Sequence, residues 1–133
     1  MLTAMSSQTV FDRVGGYSFF ESLADRFYSS VEKDPEFLAM YPKPDDLAEA
    51  RLHLAQFLSQ YWGGTTTYSD SRGHPRLRMR HVPFQIGDRE RDTWLKHMGN
   101  ALDESKDLDD DVRVQMSEYF TMAANHLVNY REP

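Results

Sequence analysis

Apolar residues at intervals of three and four dominate this chain, in four separate stretches, and no convincing alternating pattern competes with them. Phe20, Leu23, Ala24, Phe27 and Val31 form one stripe, on a helix expected to run from a Ser18/Glu21 capping box to about Lys33. Leu47, Ala50, Leu54, Phe57, Leu58 and Tyr61 form a second, predicting a helix from about Asp46 to Tyr61 that Gly63-Gly64 closes. Trp94, Leu95, Met98, Ala101 and Leu102 give a third, and Val112, Met116, Tyr119, Phe120, Ala123 and Leu127 a fourth. Two short helices join them: one opened by a Thr9/Asp12 capping box and stopped by Gly15-Gly16, the other opened by Asp34-Pro35 and unable to pass Pro42. The chain is therefore expected to be all-α.

The 133 residues, 40% of them hydrophobic and 13% aromatic, suffice for a single domain spanning 1–133, with 1–8 and 131–133 expected to fray. No cysteine is present, which excludes disulfides, thiolate metal sites and cysteine nucleophiles. The start MLTAMSSQTV has no basic leader pattern, and no segment approaches the roughly 20 apolar residues of a membrane span. A soluble, cytoplasmic protein without stable membrane insertion is expected.

The polar stretch TTTYSDSRG reads as a loop, and between Gly63 and Gly87 only one brief helix is expected, starting at Pro75 and ending near His81 because Val82 precedes Pro83. Long irregular stretches in compact domains usually carry function. This one contains RGHPRLRMRH, with four arginines and two histidines between Arg72 and His81. The formal net charge is −6, and without that window 11 basic residues face 21 acidic ones, a balance of −10. An acidic surface disfavours nucleic acid, whereas a local basic patch can hold one small anionic group.

None of the five histidines lies three or four residues from another, so a helical two-histidine metal motif is absent; paired Glu-x-x-His motifs, a nucleophile elbow and a phosphate loop are absent too. An iron held by one histidine remains the simplest metal option, and haem requires only that, since the porphyrin supplies four nitrogens. Its two propionates would draw cations to the ligand histidine; a solvated basic turn is the plainer reading of the same run.

FDRVGG at 11–16, RFY at 26–28, MYP at 40–42, QYWGG at 60–64, RGHPRLRMRH at 72–81 followed by VPF, ERDTWL at 90–95 and MAANHLVN at 122–129 together resemble the group II truncated haemoglobins, over about Val10 to Asn129. The resemblance implies a shortened globin, a two-over-two helical sandwich around haem b, with His81 as the proximal iron ligand. It also implies Tyr28, Tyr41 and Trp94 as distal ligand-stabilising residues and Arg80 and Tyr68 as propionate contacts. Ala50, Leu54, Phe57, Leu77 and Phe84 would line the haem. His53 stands where relatives often carry arginine or lysine, so its propionate contact would depend on pH.

Leu54 and Ala50 carry no hydrogen-bond donor, whereas Tyr28, Tyr41 and Trp94 do. The expected function is reversible binding of dioxygen and other diatomic ligands at a pentacoordinate iron. The competing reading is peroxidase-like or nitric-oxide-consuming redox chemistry, dependent on an external reductase. A homo-oligomer is compatible with either, and a haem-free helical module binding an acidic partner is the remaining alternative.

Overall fold

The computed structural model describes residues 8–73, 81 and 84–130, and the described residues contain seven helices and no strand. In chain order they are α1 (Val10–Arg13), α2 (Tyr17–Glu32), α3 (Pro35–Leu38), α4 (Ala48–Tyr61), α5 (Thr67–Arg72), α6 (Asp88–Asp103) and α7 (Asp110–Leu127). They are grouped into two compact units: 1–25 with 48–75, and 26–47 with 76–133.

The first unit is built on α1, the start of α2, α4 and α5. The expected Thr9 capping box forms: Thr9 Oγ1 accepts from the Asp12 amide at 3.1 Å, and the Thr9 amide donates back to the Asp12 carboxylate at 3.3 Å. Helix α1 is fastened to the end of α4 by the Phe11 amide, which donates to the Trp62 carbonyl at 2.9 Å. Phe11, Phe20 and Trp62 then stack in near-parallel order, with Phe20 fully buried between its two neighbours.

Helix α2 begins at Tyr17, not at a Ser18 cap; the Gly15-Gly16 turn already delivers the chain in position, with the Phe19 amide donating to the Gly16 carbonyl. Helix α4 starts at Ala48, two residues after the expected Asp46, and Tyr61 is about half exposed, away from the buried stripe. The expected loop TTTYSDSRG is largely the helix α5. Thr and Ser favour turns only weakly, and a tertiary contact decides the matter: the Gln60 side chain donates to Ser69 Oγ at 2.7 Å and accepts from the Ser69 amide at 3.0 Å, while Tyr68 is buried edge-on against Phe57.

The second unit holds the end of α2 with α3, α6 and α7. Asp34 caps α3 as expected, accepting from the Phe37 amide at 3.3 Å, with Pro35 in the first turn. The core is Phe27, Val31, Met98, Ala101, Val112 and Met116, all at most 1% exposed. The acidic link between α6 and α7 is not wholly solvated. Ser105 is buried; its hydroxyl accepts from Arg26 at 2.9 Å and donates to the Ala101 carbonyl at 3.1 Å.

Candidate functional site

In the second unit, Tyr28, Tyr41 and Trp94 arrive from three different elements. Tyr28 lies on the buried face of α2. Tyr41 follows α3, in a turn closed by its own amide donating to the Leu38 carbonyl at 3.1 Å, and Trp94 lies on α6. Phe27 joins two of them, meeting Tyr28 edge-on at 4.8 Å between ring centres and Trp94 at 5.2 Å. Tyr28 meets Tyr41 edge-on at 5.6 Å, and Phe37 supports Tyr41 at 5.9 Å. The three aromatic donors thus belong to one continuous cluster.

Tyr41 as a residue is only half-buried, but its hydroxyl end lies deep and is hydrogen-bonded to Tyr28. Burial, then the neighbouring Tyr28 oxygen, then that hydrogen bond push the phenol of Tyr41 well above its usual value of 10.0.

His81 is half-buried and helical in backbone, with the Phe84 ring 6.3 Å away. Its carbonyl accepts from the Asn129 side-chain amide at 3.2 Å, and the Phe84 carbonyl accepts from the same group at 2.9 Å. The Asn129 side-chain oxygen in turn accepts from the Ile86 amide at 2.8 Å. One asparagine beyond the end of α7 therefore holds three points of the segment that carries His81. Asn129 lies 48 residues from His81 in sequence, and no local pattern announces such a contact.

In the first unit, His53 and Tyr68 are brought together by a residue that sequence reasoning did not single out. Arg72 approaches His53 Nε2 at 3.4 Å and lies over the Tyr68 ring at 5.9 Å. Ala50, Leu54 and Phe57 are half-buried along α4. Arg80 and Leu77 lie outside the described residues.

The sequence from residue 9 to residue 126 matches the bacterial-like globin family. The chain belongs to that family. It is 36% identical to the group 2 truncated haemoglobin of Bacillus subtilis over 117 residues, covering 88% of this chain and 86% of that one. Among solved structures it is similar to a thermostable haemoglobin from Thermobifida fusca, with a TM-score of 0.90 at 49% identity, covering 94% of this chain and all of the other. It is also similar to a truncated oxygen-avid haemoglobin from Bacillus subtilis, with a TM-score of 0.84 at 33% identity, covering 92% of this chain and all of the other. The all-α architecture is thus that of a group II truncated haemoglobin, and its cofactor is haem b.

The donor set fits that cofactor. Among the described residues no three His, Asp or Glu side chains come together to hold a metal ion. A group bringing four nitrogens needs one imidazole from the globin, and the segment that carries His81 is held by Asn129 through backbone carbonyls. No helix among the described residues is long and apolar enough to cross a membrane.

The structure also shows a polar group that no local motif marks. His97, buried on α6, lies 2.6 Å through Nδ1 from Ser30 Oγ and 2.9 Å through Nε2 from the Asp34 carboxylate. The hydrogen bond from His97, then the one from the Phe37 amide, hold the Asp34 carboxyl below its usual value of 3.8.

Proposed function

We propose that the chain is a single globin domain carrying one haem b on His81, and that it binds dioxygen and other diatomic ligands reversibly, with Tyr28, Tyr41 and Trp94 as the groups that retain the ligand. His81 would hold the haem iron, which would supply the position where a diatomic ligand binds. Arg80, Tyr68 and His53 are assigned to the propionates; Ala50, Leu54, Phe57, Leu77 and Phe84 are assigned to the lining.

The observation that carries this reading is the gathering of the three donors into one cluster, with Tyr28 meeting Tyr41 at 5.6 Å and Phe27 joining Tyr28 to Trp94. Tyr28 and Tyr41 share a hydrogen bond, and a chain of such bonds polarises along its length. Phenols in such a chain suit a ligand that gains negative charge. The Trp94 indole N–H can only donate, so it can serve a ligand without competing for protons. The oxygen-avid character of the Bacillus subtilis relative points in the same direction.

The test is the dioxygen dissociation rate of the haem-loaded protein with Tyr28→Phe and Trp94→Phe. Each lost hydrogen bond, worth about 0.5–1.5 kcal/mol, should speed dissociation by about two- to tenfold, and the double variant by more. Rates unchanged in both single variants would refute the assignment. Three donors in one cluster would equally polarise a peroxide, which favours redox chemistry with an external reductase as the second reading. Peroxide turnover that collapses in these variants while dioxygen rates barely move would support that alternative.

A further inference from the structure

Each of the three distal donors sits on a different element, and the same three elements meet at a second point. Helix α2 carries Tyr28 and also Ser30; the α3 turn carries Tyr41 and begins at Asp34; helix α6 carries Trp94 and also His97. The imidazole of His97 joins all three, reaching Ser30 Oγ at 2.6 Å and Asp34 Oδ2 at 2.9 Å. It is the only polar side chain on the buried face of α6.

The imidazole also touches the rings that hold the donors. Phe27 meets it edge-on at 6.4 Å and Phe37 at 5.4 Å. Phe27 in turn contacts both Tyr28 and Trp94, and Phe37 contacts Tyr41. Every donor is therefore one ring away from His97. A leucine of similar bulk would serve a purely apolar core better, because a buried imidazole must have both nitrogens satisfied to break even. Two directed bonds give what apolar contact does not: a fixed rotation and rise of α6 against α2 and against the cap of α3.

We propose that His97, with Ser30 and Asp34, is the positioning group of the ligand site: its two hydrogen bonds set the mutual placement of Tyr28, Tyr41 and Trp94 and so determine how long a diatomic ligand is retained. This rests on the reading that those three residues hold the ligand. His97 acts through them and touches neither ligand nor haem in this account. Asp34 is suited to its part because it also caps α3, so the bond to His97 anchors the start of the segment that ends at Tyr41. The low carboxyl value of Asp34 keeps it an acceptor throughout the neutral range.

The experiment uses the haem-loaded protein with Ser30→Ala, Ser30→Thr, His97→Gln and His97→Leu, beside Tyr28→Phe. Three quantities are read: the dioxygen dissociation rate, the C–O stretching band of the carbon monoxide adduct, and the thermal midpoint. A fourth reading needs no haem: the emission of Trp94 in apoprotein carrying Trp62→Phe, where it is the only tryptophan. Ser30→Ala and His97→Leu should raise dissociation by about threefold or more, the scale of one hydrogen bond's net worth, and should shift or broaden the C–O band. They should also move the Trp94 emission, while Ser30→Thr, which keeps the hydroxyl, stays near the parent.

A merely structural role gives a different result. The thermal midpoint falls, but the dissociation rate stays within twofold and the C–O band and Trp94 emission do not move. That result, with Tyr28→Phe still accelerating dissociation, overturns the positioning role alone. If Tyr28→Phe has no effect either, the assignment of the donors fails and the positioning role falls with it. Should His97→Leu not fold, His97→Gln and Ser30→Ala decide the matter by the same readings.

Discussion

Replacing Gly63 by alanine should destabilise this globin far more than one methyl group ordinarily would. Gly63 has φ +104°, in the region that L residues avoid, and a Cβ there would lie 2.7 Å from both Thr9 Cβ and Cγ2 and 2.9 Å from Thr9 Oγ1. The backbone contribution is about 1–2 kcal/mol, and overpacking against a residue fixed by its own capping box adds about 1–3 kcal/mol. The stiffer unfolded chain returns about 0.4–1 kcal/mol, leaving a net loss of about 2–4 kcal/mol. An unfolding entropy of about 2.1 cal/mol/K per residue then makes each kcal/mol worth about 3.6 °C, so the midpoint should fall by about 7–14 °C. Gly99 provides the control. It is inside α6 with nothing within 4 Å of an added Cβ, so Gly99→Ala should raise the midpoint by a few degrees through helix propensity, about 1 kcal/mol at most. Scanning calorimetry of both variants, haem-loaded at one concentration, makes the comparison. A loss below about 2 °C for Gly63→Ala, or an equal loss in both variants, would refute the argument that the Thr9 contact and the left-handed turn set the cost.

Asn129→Ala removes the two bonds donated to the carbonyls of His81 and Phe84 and the one accepted from Ile86, so haem should escape about three- to tenfold faster in transfer to an acceptor apoprotein. An unchanged transfer rate would show that the clamp does not support the ligand segment. Tyr41 should titrate well above pH 10.0, in absorbance near the phenolate band. Because its folded value is raised, the stability it contributes is complete below the unfolded value and is lost as pH rises towards the folded one. Tyr41→Phe should therefore flatten the alkaline side of the stability profile above pH 10, and a profile identical to the parent would contradict the assigned burial.

Local signals made much of the fold legible. Thr9 with Asp12 and Asp34 with Pro35 are caps whose chemistry is complete within four residues, and both form as read. The apolar stripes of α2, α6 and α7 supply the buried Phe27, Met98, Val112 and Met116. What escaped was decided by distant residues. Helix α5 has a sequence of turn formers and exists because Gln60 grips Ser69 and Tyr68 finds Phe57. Ser105 sits in an acidic link and is buried because Arg26, 79 residues earlier, needs an acceptor.

The candidate site divides the same way. Tyr28, Tyr41, Trp94 and His81 could be named from motifs, and the structure gathers the three aromatics into one cluster. The groups proposed to support them could not. Asn129 acts on His81 through backbone carbonyls, and His97 joins Ser30 and Asp34 across separations of 67 and 63 residues. Neither leaves a spacing that a single sequence displays. Arg72, though inside the basic run, shows its place only once α5 forms and brings it over Tyr68.

The most direct test of the account is haem uptake by the apoprotein, parent against His81→Ala. The parent should saturate at one haem per chain with the spectrum of an imidazole-ligated iron; His81→Ala should lose that spectrum and regain it when free imidazole is added. An identical spectrum and equal retention in both proteins would contradict the account at its centre, because the iron would then be held by some other residue.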